Sequence, residues 1–461
     1  SGFRSITLFC IATASNGLEA AQATLVKDQS VTVKHVFFHL AGIPLFYFPY
    51  WHRSMEGDGM GLVPGYSSSM GAYLLTSLSY GMTDTLRGTT HLDYRTRRGL
   101  ALGQDLDWAA TNRQWSGGVK LYSASDMDPL ANRSPSVDVD ERRFRMLLFH
   151  DETFDRDTRL LLRVHYLSDP YVLDDFFRSE YRLEPQPDNF ISLTHRGDNY
   201  SASLAFRPRL NNFYDAVTRL PEGQLEFPLQ QLGELPLYYE SQSSAGYLER
   251  LRPSGNTNAS YSAFRADTRQ LLSTSRRVGV LNIVPRIAAR ETYYSATPSG
   301  AGDGASGGSA ARTLLEAGVQ MSFKMFKVYS EAEDAGGGLR HVAEPYANYT
   351  YIPEPNIRTN DLYRFDSIDA LGRQSLLRLG VRNKLQTKKE GRPFDLVDLD
   401  TWVEGNFNAG ENESTFGFLY WDTRLRPWNS VSIDCDGKFS LSDGAAEEAN
   451  LRLTAGDSLL V

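Results

Sequence analysis

The sequence predicts an all-β chain, most of it a large antiparallel membrane β-barrel. Three observations point there. Tyr (24), Phe (24) and Gly (38) are abundant among the 461 residues, a composition that favours strands and turns over helices. Apolar residues reach only 41%, and no run of about 18 of them occurs, which excludes a transmembrane helix. Segments of alternating polarity recur from about Leu62 onward, and alternation keeps the mean hydropathy low (−0.38) even where one face of a strand meets lipid.

The elements follow in order. Region 1–41 reads as strands: S-I-T-L-F-C-I, A-A-Q-A-T-L-V and V-T-V-K-H-V-F-F-H-L. About forty residues cannot bury a core alone, so these are expected to end a β domain that begins earlier in a longer protein. Gly42–Gly65 then packs five aromatics, three prolines and five glycines into 24 residues. Pro44, Pro49 and Pro64 each remove a backbone donor, so the run is expected to be a proline-weakened seam, with 42–58 as hinge. Barrel strands are expected over 59–461. In Thr158–Leu167, Leu160, Leu162, Val164 and Tyr166 oppose Arg159, Leu161, Arg163 and His165. In Tyr200–Arg207, Tyr200, Ala202, Leu204 and Phe206 oppose Ser201, Ser203, Ala205 and Arg207. Leu314–Met325 reads as one long strand, Leu315 to Met325 on the apolar face and Glu316 to Lys324 on the other.

Connections come in two sizes. Arg97-Arg98-Gly99 and Arg426–Asn429 are short, whereas Ser125–Glu141, Asp169–Asn189 and the Gly/Ser-rich Ser299–Ala311 are long. Short turns at one end and long loops at the other are the outer-membrane barrel pattern. Trp108, Trp115, Tyr349, Tyr351, Tyr420, Trp421 and Trp428 near strand ends read as an interfacial girdle. At roughly 17–20 residues per strand and connection, about 20–24 strands fit.

The net charge is −8, from 48 basic and 56 acidic residues, and no basic cluster is large enough for a nucleic-acid footprint. Arg95–Arg98 and Lys388-Lys389 read as turn residues facing solvent or headgroups. Acidic Asp126–Asp128 and Glu331–Asp334 read as solvated loop charge before calcium ligands. His35 and His39 lie on a strand pattern, too far apart for one ion, and no catalytic signature such as H-E-x-x-H or G-x-S-x-G appears. No enzyme activity, metal or cofactor is expected. Arg159, Arg163, Arg207 and Lys324 are the candidate luminal cations; they either solvate a wet lumen or meet the phosphates of a passing solute.

Several segments together resemble the LPS-assembly protein (LptD/OstA) family. They are G-I-P-L-F-Y-F-P-Y with G-L-V-P at Gly61–Pro64; Ser168-Asp169-Pro170 with Asp175-Phe176-Phe177; and Arg219–Glu222. Arg340-His341 through Ile352-Pro353, and then Phe365-Asp366 with Asn383–Leu385, complete the series in family order. The resemblance implies a periplasmic β-jelly-roll, of which 1–41 is the end, joined to a barrel that continues past Val461. It implies lipopolysaccharide transport and insertion into the outer leaflet through a lateral gate between first and last strands. Pro44, Pro49, Gly59, Gly61, Pro64 and Gly65 would form the hinge and gate. A second proline on the next strand is absent from Leu75–Tyr80. Implied partners are lipopolysaccharide, a plug lipoprotein (LptE-like) inside the barrel and a jelly-roll bridge protein (LptA-like). The implied location is the outer membrane, with the leading part periplasmic. Cys10 matches a family cysteine that ties jelly-roll to barrel; the usual partner region near Gly456-Asp457 has no cysteine and Cys435 lies one strand earlier, so the two either form the bridge or stay separate thiols. A porin for small solutes is the alternative; a soluble solenoid lacks the repeat it would need.

Overall fold

The structure, a computed structural model, describes the chain except residues 1–4, 12–16, 27–29, 41–42, 55–58, 113, 131–138, 254–255, 257–258, 299–306, 330–337, 390–391, 409–414, 429 and 457–461, and describes side-chain environments from residue 59 on. Leading strands β1 (Ser5–Ile11), β2 (Gly17–Val26), β3 (Ser30–Leu40) and β4 (Ile43–Ser54) pair in chain order. The meander continues through β5 (Gly59–Ser67), β6 (Gly71–Thr83), β7 (Leu86–Arg95), β8 (Gly99–Ala109), β9 (Trp115–Ser125), β10 (Arg142–Thr153), β11 (Thr158–Leu167) and β12 (Phe190–Arg196), each antiparallel to the next. Two short helices, α1 (Val172–Phe176) and α2 (Arg178–Leu183), stand between β11 and β12. Then come β13 (Ser201–Arg207), β14 (Ala216–Gln231), β15 (Tyr238–Leu251), β16 (Tyr261–Ser273) and β17 (Arg276–Val278). The last run is β18 (Leu281–Tyr294), β19 (Ala310–Ser322), β20 (Met325–Tyr329), β21 (Leu339–Ile352), β22 (Gln374–Lys389), β23 (Arg392–Asn406), β24 (Phe416–Trp428), β25 (Val431–Ser440) and β26 (Ala446–Ala455), again antiparallel. From β5 on, the described residues form 22 strands, within the expected range.

The chain forms two compact units. One holds Ser1–Arg196, Ser203–Pro221 and Arg250–Ser260; the other holds Gly197–Ala202, Glu222–Glu249 and Tyr261–Val461. β4, within the segment expected as a hinge, falls inside the first.

Within each unit the sheet is inside-out relative to a soluble protein. In the first unit, Leu92, Tyr94, Leu100, Leu102, Leu121, Phe144 and Tyr166 are exposed, while Asp93, Arg95, Tyr122, Arg143, Arg145 and His165, one residue away, are buried. In the second, Phe264, Ile287, Tyr293 and Leu315 are exposed beside buried Arg265, Thr292, Tyr294 and Arg312. Strand side chains alternate, so one face is apolar and open and the other is polar and covered. That is the arrangement of a wall with lipid outside it. The faces assigned from sequence to Thr158–Leu167 and Tyr200–Arg207 hold.

Two expectations change. Leu314–Met325 is not one strand: β19 ends at Ser322 and β20 starts at Met325, both against β21. The break faces Pro345, which has no N–H to offer a ladder; the Phe323 amide still donates to its carbonyl at 3.3 Å. Tyr420 is no girdle residue, because it stacks on Trp402 at 5.4 Å along the polar face.

Candidate functional site

The polar face of the first unit holds a cluster built from residues far apart in sequence. Arg98 ends the turn between β7 and β8, and Arg143 lies on β10. Both are almost wholly withdrawn from water, at 1% and 0% exposure. Arg143 grips Asp169 with two parallel bonds, Nε to Oδ2 at 3.0 Å and Nη2 to Oδ1 at 2.7 Å. Its Nη1 donates to Asp126 at 2.8 Å and to Asp175 at 2.6 Å. Arg98 donates to the same two carboxylates at 2.8 and 3.3 Å. Buried charge survives only when its partners are this complete.

Asp169 and Asp175 belong to the segment that carries α1 and α2, so the cluster fastens that segment to the sheet. Burial alone would push the Asp169 carboxyl up, but the hydrogen bonds and charge of Arg143 hold it below the usual carboxylate range. Aromatic packing completes the attachment: Phe177 meets the Tyr122 ring edge-on at 4.9 Å and lies 3.5 Å under the Arg145 guanidinium. Arg145 also donates to Glu180 at 2.6 Å. Near its end, β11 borrows side chains to complete its ladder. Asn189 accepts from the His165 amide at 2.6 Å, and Asn211 accepts from the Leu167 amide at 2.9 Å while donating to the His165 carbonyl at 2.8 Å. Nearby, burial pushes the Tyr214 hydroxyl up to about 12.

The second unit repeats the device with other residues. Arg265 on β16 is bidentate to Asp366 at 2.8 Å on both arms and reaches Asp369 at 3.0 Å. Asp369 also accepts from the Tyr294 hydroxyl at 2.7 Å and from the amides of Phe365 and Asp366 at 2.7 and 3.0 Å. Arg312 on β19 donates to the carbonyls of Ile357, Ile368 and Leu371. The connection between β21 and β22 is thereby fastened to the polar face of its own unit.

These clusters overturn two sequence readings. Arg95 and Arg98 are not solvated turn residues; they are 4% and 1% exposed. Asp126 is neither a loop charge in water nor a calcium ligand, since Arg98 and Arg143 use it. No group suited to a metal ion occurs among the described residues. Glu331–Asp334 lies outside the described residues. The family-like motifs supplied Asp169, Asp175 and Asp366, but nothing local marked their arginine partners.

The four candidate cations stand on or beside the polar face, each already paired. Arg159 pairs with Asp151 at 2.5 Å, Arg163 with Glu184 at 2.6 Å, Arg207 with Asp188 at 3.1 Å and Lys324 with Glu344 at 3.5 Å. They are not brought together with the two clusters.

The hinge and gate candidates sit on β4 and β5. Pro44 and Pro49 lie in β4, whose side chains are outside the described residues. β5 pairs with β6 along its whole length, from Gly59↔Ser79 to Ser67↔Gly71, but among the described residues it meets β4 only at Arg53↔Gly59. Gly59 has φ +148°, a value that favours glycine where the chain enters the strand. Pro64 faces Leu74. A side chain at Gly65 would strike the Tyr73 ring, and one at Gly61 the Ser77 hydroxyl, so these glycines also serve as seats for β6 side chains. Cys435 on β25, half-buried opposite Thr423 and Leu451, has no disulfide partner among the described residues. The side chain of Cys10, and with it the expected bridge, lies outside the described residues.

The family model described as LPS transport system D (LptD) matches residues 141–379, just over half of the chain. Among curated proteins, LPS-assembly protein LptD of Yersinia pestis bv. Antiqua (strain Antiqua) is 22% identical over 441 residues, covering 88% of this chain and 52% of that protein. LPS-assembly protein LptD of Pseudomonas putida (strain GB-1) is 25% identical over 224 residues, covering 46% and 23%. The chain thus spans about half the length of the first of these relatives, or less. Outer-membrane expressed OmpT of Vibrio cholerae overlaps 86% of the chain and 97% of its own at 10% identity, with a TM-score of 0.24, too low to carry an argument. By the extent of the family match, the chain belongs to the LPS transport system D (LptD) family.

Proposed function

We propose that the chain is the outer-membrane barrel part of a lipopolysaccharide translocon, with its leading strands on the periplasmic side. The observation that carries the reading is the asymmetry of β5: a full ladder to β6 on one edge and, among the described residues, a single residue pair to β4 on the other. Pro64 removes one donor from this strand, so an edge closed through β5 is cheaper to part than one closed through an uninterrupted strand. Acyl chains would leave sideways past β5 toward the apolar face, while sugars and phosphates keep to the polar face. No bond is made or broken; the chain supplies a path and a seam. The plug lipoprotein and the jelly-roll bridge protein remain partners implied by the family resemblance.

A photocrosslinker at Met60 in the full-length protein in cells tests this reading. Met60 is exposed near the start of β5. It should capture lipopolysaccharide in transit, whereas Leu106, at the same end of the sheet on β8, should not. Absence of an adduct at Met60 sinks the gate while leaving the barrel. Conduction of small sugars by a full-length protein that binds no lipopolysaccharide would favour the porin reading instead.

A further inference from the structure

The second unit contains a cavity that its fastened β21–β22 connection roofs on the polar face. It measures about 360 Å³, within the range of small-molecule sites, and is lined by Arg269, Arg290, Glu316, Thr350, Ser367 and Gln374 among others. Two features set it apart from the clusters already described. Arg269 on β16 and Arg290 on β18 are direct cross-strand partners, so two like charges face each other where an opposite pair would stabilise the sheet. Arg269 is satisfied: it pairs with Glu240 at 3.5 Å and Glu316 at 3.2 Å. Arg290 is not. Its Nε is shut off from water and has no hydrogen-bond partner among the described residues, and its paired carboxylate, Asp267, stands 3.7 Å away. Asp267 itself accepts from the Thr292 hydroxyl at 2.6 Å. Glu316 offers no relief, since Arg286 also holds it at 3.3 Å.

A guanidinium nitrogen shut off from water with its carboxylate beyond hydrogen-bond reach is costly, and a second guanidinium opposite raises the cost. Arg265 and Arg312, the arginines buried most deeply among the described residues of this unit, have their donors met by oxygen atoms of the chain. Here it supplies a cavity, with the Ser367 hydroxyl and Gln374 amide as further donors.

We infer that this cavity is an oxyanion subsite, in which Arg290 and Arg269 bind a phosphate or carboxylate carried on a sugar. The inference deepens the transport reading and rests on it for the carrier: an anionic sugar group of the glycolipid, held on the polar face during passage. The bidentate fork of arginine suits both anions.

The test uses the full-length protein with its lipoprotein partner in detergent, and ligand-observed NMR with glucose 1-phosphate, glucuronate, inorganic phosphate and neutral glucose. Binding of the sugar phosphate or the sugar acid, at least tenfold weakened in Arg290→Gln and partly kept in Arg290→Lys, supports the subsite. Inorganic phosphate binding as tightly as either sugar anion would overturn the sugar carrier. Glucose binding equally well, or anion binding unchanged in a folded Arg290→Gln protein, overturns the site. Folding is read by heat-modifiable gel migration. On the unaltered protein, 4-hydroxyphenylglyoxal labelling of Arg290, read by mass spectrometry, should fall at least fivefold under saturating glucose 1-phosphate; labelling indifferent to it overturns the assignment whether or not the variants fold. Because these probes are small anions, their outcome is independent of lateral release at β5, so either reading can fail alone.

Discussion

At the scale of the residue, the governing fact is that the charges of the two fastening clusters come in closed sets. Removing one member leaves the rest unpaired, so Asp169→Ala should destabilise attachment of the α1–α2 segment by about 3–5 kcal/mol, read as faster amide exchange across 168–189. Rates unchanged from the parent would show that the ion pairs contribute nothing there. The pH dependence has a definite sign. The Asp169 carboxyl is held down in the folded chain, so its contribution is present above the unfolded value of about 4 and disappears as pH falls through the folded value. Protection of the segment should therefore be flat from pH 7 to about 5 and drop only in more acid solution. The sequence showed Asp169, Asp175 and Asp366 within motifs but gave no hint that Arg98 or Arg265 would meet them. Those partners lie 77 residues from Asp175 and 101 from Asp366 respectively, and a charge in a turn looks the same whether water or a carboxylate receives it.

At the scale of the element, the legible part was the period of two. It depends on neighbours in sequence alone, which is why the faces of Thr158–Leu167 and Tyr200–Arg207 could be assigned in advance. Arginine at Leu162 or Val319, on the apolar face, should cost about 2–4 kcal/mol in lipid and at Leu161 much less, measured by reversible unfolding in bilayers. Equal costs at Leu162 and Leu161 would contradict the two-faced wall. What alternation could not supply was the break at Phe323-Lys324, caused by a proline on another strand, or the helices inside Asp169–Asn189, which need the sheet beneath them to pack. The glycines of β5 acquired a second meaning in the same way. Gly65→Val should displace the Tyr73 ring and cost roughly 1–3 kcal/mol, seen as loss of heat-resistant folded protein.

At the scale of the whole molecule, an apolar face this exposed requires an amphiphile. The folded chain should extract only with detergent and precipitate when it is removed; a monodisperse amphiphile-free solution would overturn the membrane reading. The fastened segments also bear on the order of assembly. Arg143 and Arg265 reach carboxylates that lie beyond intervening strands, so docking of the segments is expected to follow the pairing of those strands. It is selective as well. A slip of one residue along β10 would turn Arg143 from the covered face to the lipid face and leave Asp126, Asp169 and Asp175 without a cation. Only a sheet in correct register can therefore accept its two segments, and the arginines act as proofreaders that let the finished wall, and no misaligned one, lock.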